Sequence, residues 1–238
     1  ICDLAPIMEI ARRYGLQVIE DCAQSPGGSY RGKPVGSMGD LGCLSISAYK
    51  IIGGGEGGLV ITHDERLWER ANQFAEAGGL WRRDRFAPPR YDGELFNGTN
   101  YRMSELEAAV DVVQLGKLAG IVQRYHAVKF RILEQLGRFA EITPQKLNDP
   151  AGEIGYTLRF YPATLAHQPF DLPVYHERGG AVAYRRGQCP VADDLFARMV
   201  SIPLNQWYLP RDADCIALGI NKVLGATCTP STTAPGWL

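Results

Sequence analysis

Apolar positions recur at helical spacing near the start of the chain. Ile7, Ile10, Ala11 and Tyr14 form one stripe, Asp3 stands where an N-cap belongs, and Gly15 ends the run. A helix from Asp3 to Tyr14 is therefore expected, followed by a short buried strand over Leu16 to Glu20. This opening reads as the second half of a β-α-β arrangement whose first strand is absent. Pro26-Gly27-Gly28 and the glycine-rich stretch from Gly32 to Gly39 break the pattern before strands over Gly42 to Ser47 and Leu59 to Thr62. Asp64 suits the cap of a helix from Glu65 to about Ala75, with Leu67, Ala71 and Phe74 on one face. Short apolar strands alternating with amphipathic helices predict an α/β layer architecture.

Periodicity lapses between Gly78 and Asn100, a stretch long enough to suggest a functional or interfacial excursion. It resumes in a helix over Arg102 to Lys117, carried by Met103, Leu106, Ala109, Val110 and Val113. A second helix over Val122 to Leu136 carries Tyr125, Val128, Ile132 and Leu136. Beyond it the pattern gives a strand over Tyr156 to Tyr161 and helices over Ala192 to Met199 and Asp212 to Leu224. The expected organisation is a partial large domain over residues 1–118, a linking helix over 119–141, a smaller C-terminal α+β domain over 142–226, and a peripheral tail over 227–238.

Composition then removes several classes. With 238 residues, 45% of them hydrophobic, the chain can bury a real core, and a net charge of −1 gives no global attraction for nucleic acid or an acidic membrane. Arginines cluster with Trp81 and Phe86, yet no basic stripe continues elsewhere, so no nucleic-acid partner is expected. No apolar run is long enough to span a membrane. The six cysteines are scattered without a CxxC pair, which favours reduced thiols and a cytoplasmic location. The histidines show no metal-ligand spacing, so no metal is assigned.

The candidate chemistry centres on Lys50. It lies between the apolar segment ending near Ser45 and the turn Gly53-Gly54-Gly55-Glu56-Gly57-Gly58. An amine held beside a tight glycine turn, with a carboxylate and hydroxyls on neighbouring strand ends, suits covalent chemistry on a carbonyl. Gly53, Gly55 and Gly58 satisfy G-x-G-x-x-G, but these glycines precede a strand instead of opening a helix, so a dinucleotide site is excluded. By residue type alone Asp21 equally suits a turn cap, Ser45 a buried hydroxyl with a backbone partner, Gln24 a turn amide, and Asn100 a helix N-cap.

Taken jointly and in order, EDCAQS, the five-residue offset from Ser45 to Lys50, K-x-x-x-G-G-E-G-G-L-V-I-T and N-Y-R-M-S-E-L-E-A-A resemble the DegT/DnrJ/EryC1/StrS family of pyridoxal-phosphate-dependent sugar aminotransferases. The resemblance implies an aspartate-aminotransferase-like, fold type I α/β architecture, here without its upstream portion, whose large domain binds the cofactor. It makes Lys50 the Schiff-base lysine and proton shuttle, Asp21 the carboxylate opposite the pyridine nitrogen, Gln24 a neighbour of the cofactor ring, and Ser45 a phosphate ligand. Asn100 becomes a phosphate contact given by the other subunit of a homodimer with shared active sites. The implied reaction moves an amino group from glutamate or glutamine, through pyridoxamine phosphate, to a keto sugar or cyclitol ketone. Trp81, Arg82 and Arg83 are candidate substrate contacts, because arginine forks suit the phosphates of a nucleotide-linked sugar. A non-catalytic, cofactor-binding or regulatory homologue is the alternative.

Overall fold

The computed structural model describes residues 1–77, 97–163, 187 and 189–238. It divides into two compact units, one formed by Ile1–Gln123 with Asn148–Ile154 and the other by Arg124–Leu147 with Gly155–Leu238. The chain passes between the units inside a helix, after Gln123, and again on either side of Asn148–Ile154.

The first unit opens with α1 (Leu4–Tyr14), closed by Gly15 in the left-handed region at φ +63°, whose N–H reaches the Ala11 carbonyl. Asp3 precedes the helix without capping it, because its carboxylate accepts from the Tyr30 hydroxyl instead. Strands β1 (Ile19–Asp21), β4 (Leu41–Ser45) and β5 (Gly58–Ile61) form one sheet in the order β1-β4-β5, parallel across β1 and β4 and antiparallel across β4 and β5. Between them β2 (Ser29–Tyr30) and β3 (Lys33–Pro34) make a hairpin, with Arg31 and Gly32 both at positive φ. The buried strand expected over Leu16 to Glu20 is corrected. Leu16 and Ile19 are 58% and 64% exposed, and of these five residues only Glu20 is buried.

Helix α2 (Glu65–Ala75) starts where Asp64 accepts from the Leu67 N–H at 2.9 Å. Helix α3 (Glu105–Leu115) is capped by Ser104, which forms a reciprocal capping box with Glu107. The N-cap alternative for Asn100 is thereby replaced by a residue four positions later. The expected apolar stripe of α3 is split: Leu106 is 83% exposed and Val113 59%, while Met103 and one methyl of Val110, itself 48% exposed, lie against Gly57 and Gly54. Its inward face is otherwise polar, made of Glu107, Asp111 and Gln114, because the glycine turn it packs against presents backbone groups that need partners.

Helix α4 (Leu118–Leu133) gives its first turns to the first unit and the rest to the second. In the second unit β6 (Ile142–Pro144), β7 (Thr157–Pro162) and β8 (Val200–Pro203) form an antiparallel sheet with β7 central. Helices α5 (Pro190–Arg198) and α6 (Pro210–Thr227) complete it. Val128, Ile132 and Leu136, read from the sequence as one stripe, sit in its core with Leu158, Phe160, Ala213 and Ala217.

The tail over 227–238 is not peripheral. Trp237 joins this core, edge-on to Phe160 at 5.5 Å, and its indole N–H donates to the Gly137 carbonyl at 2.8 Å. Glu141 accepts from both the N–H and the hydroxyl of Thr229, which holds its carboxyl below the ordinary value. One large aromatic ring and a few directed bonds outweigh the Thr- and Pro-rich composition around them.

Candidate active site

Register decides which side chains share a face. In the parallel β1–β4 pair Asp21 lies opposite Cys43, and alternation along β4 puts Ser45 on the same side as Cys43. Asp21 and Ser45 therefore project from one face at the carboxyl ends of adjacent parallel strands, where open α/β sheets present ligand-binding groups. Asp21 is exposed, and one of its oxygens accepts from the Ala23 N–H at 3.0 Å, which leaves the other open. Ser45 is half-buried; its hydroxyl donates to the Ser47 hydroxyl and accepts from the Ser47 N–H, each at 3.5 Å, the outer limit of a hydrogen bond. Bonds this long leave the hydroxyl able to turn toward a better acceptor. Gln24 is exposed in the turn that follows β1.

Five residues past Ser45, Lys50 is half-buried between Tyr49, 98% exposed, and the buried pair Ile51 and Ile52. The two buried isoleucines anchor the backbone beside the lysine. Its N–H donates to the Ser47 carbonyl at 3.0 Å. The glycine turn clasps this segment through Ala48 N–H to the Gly55 carbonyl (2.6 Å), Ile46 N–H to the Gly57 carbonyl (3.1 Å) and Gly54 N–H to the Ile46 carbonyl (3.3 Å). Glycine at 53 is a steric requirement, since a Cβ there would lie 2.3 Å from the Ser47 carbonyl oxygen.

On the far side of the turn, α3 supplies three side chains one turn apart. Glu107 accepts from the Glu56 N–H at 3.4 Å and Gln114 donates to the Gly53 carbonyl at 3.2 Å. Between them Asp111 is 8% exposed, with no hydrogen-bond partner on either oxygen among the described residues. Asn100 is exposed; its side-chain oxygen accepts from the N–H (3.1 Å) and Nε (3.4 Å) of Arg102. It is not among the groups that the β1–β4 sheet end and the glycine turn bring together. Trp81, Arg82 and Arg83 lie outside the described residues. No group of His, Cys, Asp and Glu suited to a metal occurs among the described residues.

Sequence reasoning missed Glu20. Its buried carboxylate accepts from the N–H groups of Gly36 (2.8 Å), Met38 (2.6 Å) and Gly39 (2.7 Å). Strand alternation carried the signal, because an outward Asp21 requires its predecessor to point inward. Burial, and then the charge of Glu20, push the neighbouring Cys22 thiol up to about 11, so it is a poor nucleophile.

Comparison with known proteins places this arrangement. The DegT/DnrJ/EryC1/StrS aminotransferase family matches residues 1–164. The chain is 36% identical over 175 residues to an L-glutamine:2-deoxy-scyllo-inosose aminotransferase of Streptoalloteichus tenebrarius, covering 72% of this chain and 40% of that protein. It is 37% identical over 226 residues to a GDP-perosamine synthase of Escherichia coli O157:H7, covering 85% and 57%. The chain thus spans about two fifths to three fifths of the length of these curated relatives. The X-ray structure of an aminotransferase from Psychrobacter cryohalolentis superposes with a TM-score of 0.75 at 25% identity, over 95% of this chain and 66% of that one. A sugar aminotransferase of Micromonospora echinospora, 22% identical, shares the fold with a TM-score of 0.70 over 93% of this chain and 64% of its own. The mixed α/β fold is that of the fold type I aminotransferases. This chain belongs to the DegT/DnrJ/EryC1/StrS aminotransferase family.

Proposed function

We propose that the protein containing this chain transfers an amino group from glutamate or glutamine to a keto sugar, nucleotide-linked by preference, or to a cyclitol ketone, using pyridoxal phosphate. The observation that carries this reading is the shared face of Asp21 and Ser45 at adjacent strand ends, with Lys50 tied five residues on by the glycine turn. These residues fit the cofactor: an open carboxylate oxygen, a weakly bonded hydroxyl and a primary amine match a ring nitrogen, a phosphate and an aldehyde. When bound, pyridoxal phosphate supplies the electron sink and carries the amino group between donor and acceptor.

The chain's own residues divide the remaining work. Asp21, as an anion, keeps a proton on the ring nitrogen. Ser45 donates a charge-assisted hydrogen bond to the phosphate. Lys50 would hold the cofactor's aldehyde end through its ε-nitrogen and would serve as the base for the proton on the donor's α-carbon. Gln24 lies in the turn beside Asp21 and flanks the ring. Asn100 reaches the phosphate of a second copy in a homodimer, and the outward Leu106 and Val113 of α3 that follow it suit burial against that copy. The acceptor is read from the relatives, which are named for inosose and GDP-sugar chemistry.

Borohydride reduction of the cofactor-loaded protein, followed by peptide mapping, is the test. A stable adduct on Lys50 is expected, and an adduct on any other residue would overturn the assignment. A regulatory reading has one observation in its favour, 30% identity over 225 residues to a pleiotropic regulatory protein of Geobacillus stearothermophilus. That reading expects the same Lys50 adduct but no conversion of bound cofactor by glutamate or glutamine in a single turnover.

A further inference from the structure

We infer that Glu20 is a positioning residue for Asp21; this rests on the proposed role of Asp21 toward the cofactor ring. The two carboxylates are consecutive on β1 and face opposite ways, Asp21 outward and Glu20 inward. Glu20 gathers three backbone N–H groups, one oxygen serving Met38 and Gly39 and the other Gly36. A charged acceptor with three such bonds is a strong anchor.

The loop it anchors is itself fixed against the same strands. Asp40 accepts from the Val18 N–H at 2.6 Å and donates its own N–H to the Val18 carbonyl at 2.8 Å. Gly39 packs so closely on Val18 that a Cβ would lie 2.7 Å from its carbonyl oxygen, and Gly42 packs on Gly36, where a Cβ would lie 2.2 Å from that oxygen. Among the described residues strand β1 pairs with β4. Its inner face is held by Glu20, and its outer end carries the Asp21 side chain and the turn closed by Ala23 N–H. The loop over Gly36 to Gly39 therefore acts, through Glu20, as a support of the strand that has to present Asp21 at a fixed height and angle. Glutamine in place of Glu20 turns an N–H₂ group toward one set of N–H donors, so at least one of the three bonds must be lost.

The experiment compares wild type with Glu20→Gln, and with Glu20→Asp, which keeps the charge but falls one methylene short, where the amide fails to fold. Amide exchange on the unloaded chain should show protection falling about tenfold at Gly36, Met38 and Gly39, as expected for a lost bond to a charged group. The decisive amide is Ala23, which reports the Asp21 carboxylate: its protection should fall as well. Loss confined to Gly36–Gly39 with Ala23 unchanged overturns the inference.

A second arm adds pyridoxal phosphate and follows the visible band of the lysine-bound cofactor against pH. A displaced Asp21 holds the ring-nitrogen proton less well, so the midpoint should move in the variant. A purely structural Glu20 would lower the melting temperature and leave that midpoint in place, which also overturns the inference. Absence of the band from wild type would defeat the proposed function alone, because the Ala23 amide decides the positioning role without cofactor.

Discussion

Replacing Asp111 by alanine should stabilise the protein. The carboxylate sits on the inward stripe of α3, 8% exposed, with neither oxygen hydrogen-bonded among the described residues, and Oδ1 stands 2.5 Å from where a Cβ on Gly54 would be. Leaving buried polar oxygens without hydrogen-bond donors costs about 1 to 3 kcal/mol for each unsatisfied group, reduced here by the small exposure that remains. Alanine also favours the helix interior over aspartate by about 0.5 kcal/mol. Against these gains stands the space left by three missing heavy atoms, about 1 kcal/mol if the site does not close. The net expectation is a gain of about 1 to 3 kcal/mol, or roughly 2 to 4 °C in melting temperature per kcal/mol.

The control is one helical turn away. Glu107 lies on the same stripe, but its carboxylate accepts from the hydroxyl of Ser104 at 2.9 Å, from its N–H at 3.3 Å, and from the Glu56 N–H at 3.4 Å. Those bonds, the Ser104 hydroxyl first, hold its carboxyl below the ordinary value. Glu107→Ala should therefore destabilise, by about 1 kcal/mol for the lost capping box. Urea unfolding and thermal melts of both variants read the two signs directly. If Asp111→Ala lost as much stability as Glu107→Ala, the buried carboxylate would have donors in the native protein, and the reasoning from its orphaned oxygens would be wrong.

Three further outcomes follow from the same contacts. Gly54→Thr should be destabilising alone and substantially relieved when combined with Asp111→Ala, a non-additivity of about 1 kcal/mol or more in a double-mutant cycle; strict additivity would show that Asp111 is not the obstacle. Trp237→Ala should cost about 3 to 5 kcal/mol by urea unfolding, as for a core tryptophan, whereas a cost under about 1 kcal/mol, typical of the surface, would restore the peripheral tail. Cys22 should resist alkylation at pH 8 while Cys2, Cys189 and Cys215, all exposed, react. Because its folded value is raised from 9.0 to about 11, the stability it contributes is complete below pH 9 and is lost as pH rises toward about 11, which melts across that window would show.

Much of the fold was legible because the signals were local. Gly15 stops α1, Asp64 caps α2, and the stripe of Val128, Ile132 and Leu136 is core, each as the sequence alone implies. The misreadings share one cause: a partner distant in sequence. Asp3 has the chemistry of a cap but gives its carboxylate to Tyr30, and Trp237 draws the tail inward by finding Gly137 and Phe160. Composition reports the average of a segment, while docking is decided by its one large side chain.

Helix α3 shows why the site was only half legible. Hydrophobic periodicity assumes that the inner face of a helix meets side chains, so Leu106, Val110 and Val113 read as core. Here the inner face meets the glycine turn, which offers carbonyl and N–H groups and almost no side-chain surface. A turn built from glycine so that backbone can approach closely must be met by polar groups, and Glu107 and Gln114 satisfy it. Leu106 and Val113 are then left on the opposite face, where burial requires another surface. The same glycines that fix the backbone around Lys50 thus draw Glu107 and Gln114 to the inner face of α3, while Leu106 and Val113 stay outward. This links the conformation of the candidate site to the face through which we propose the second copy binds.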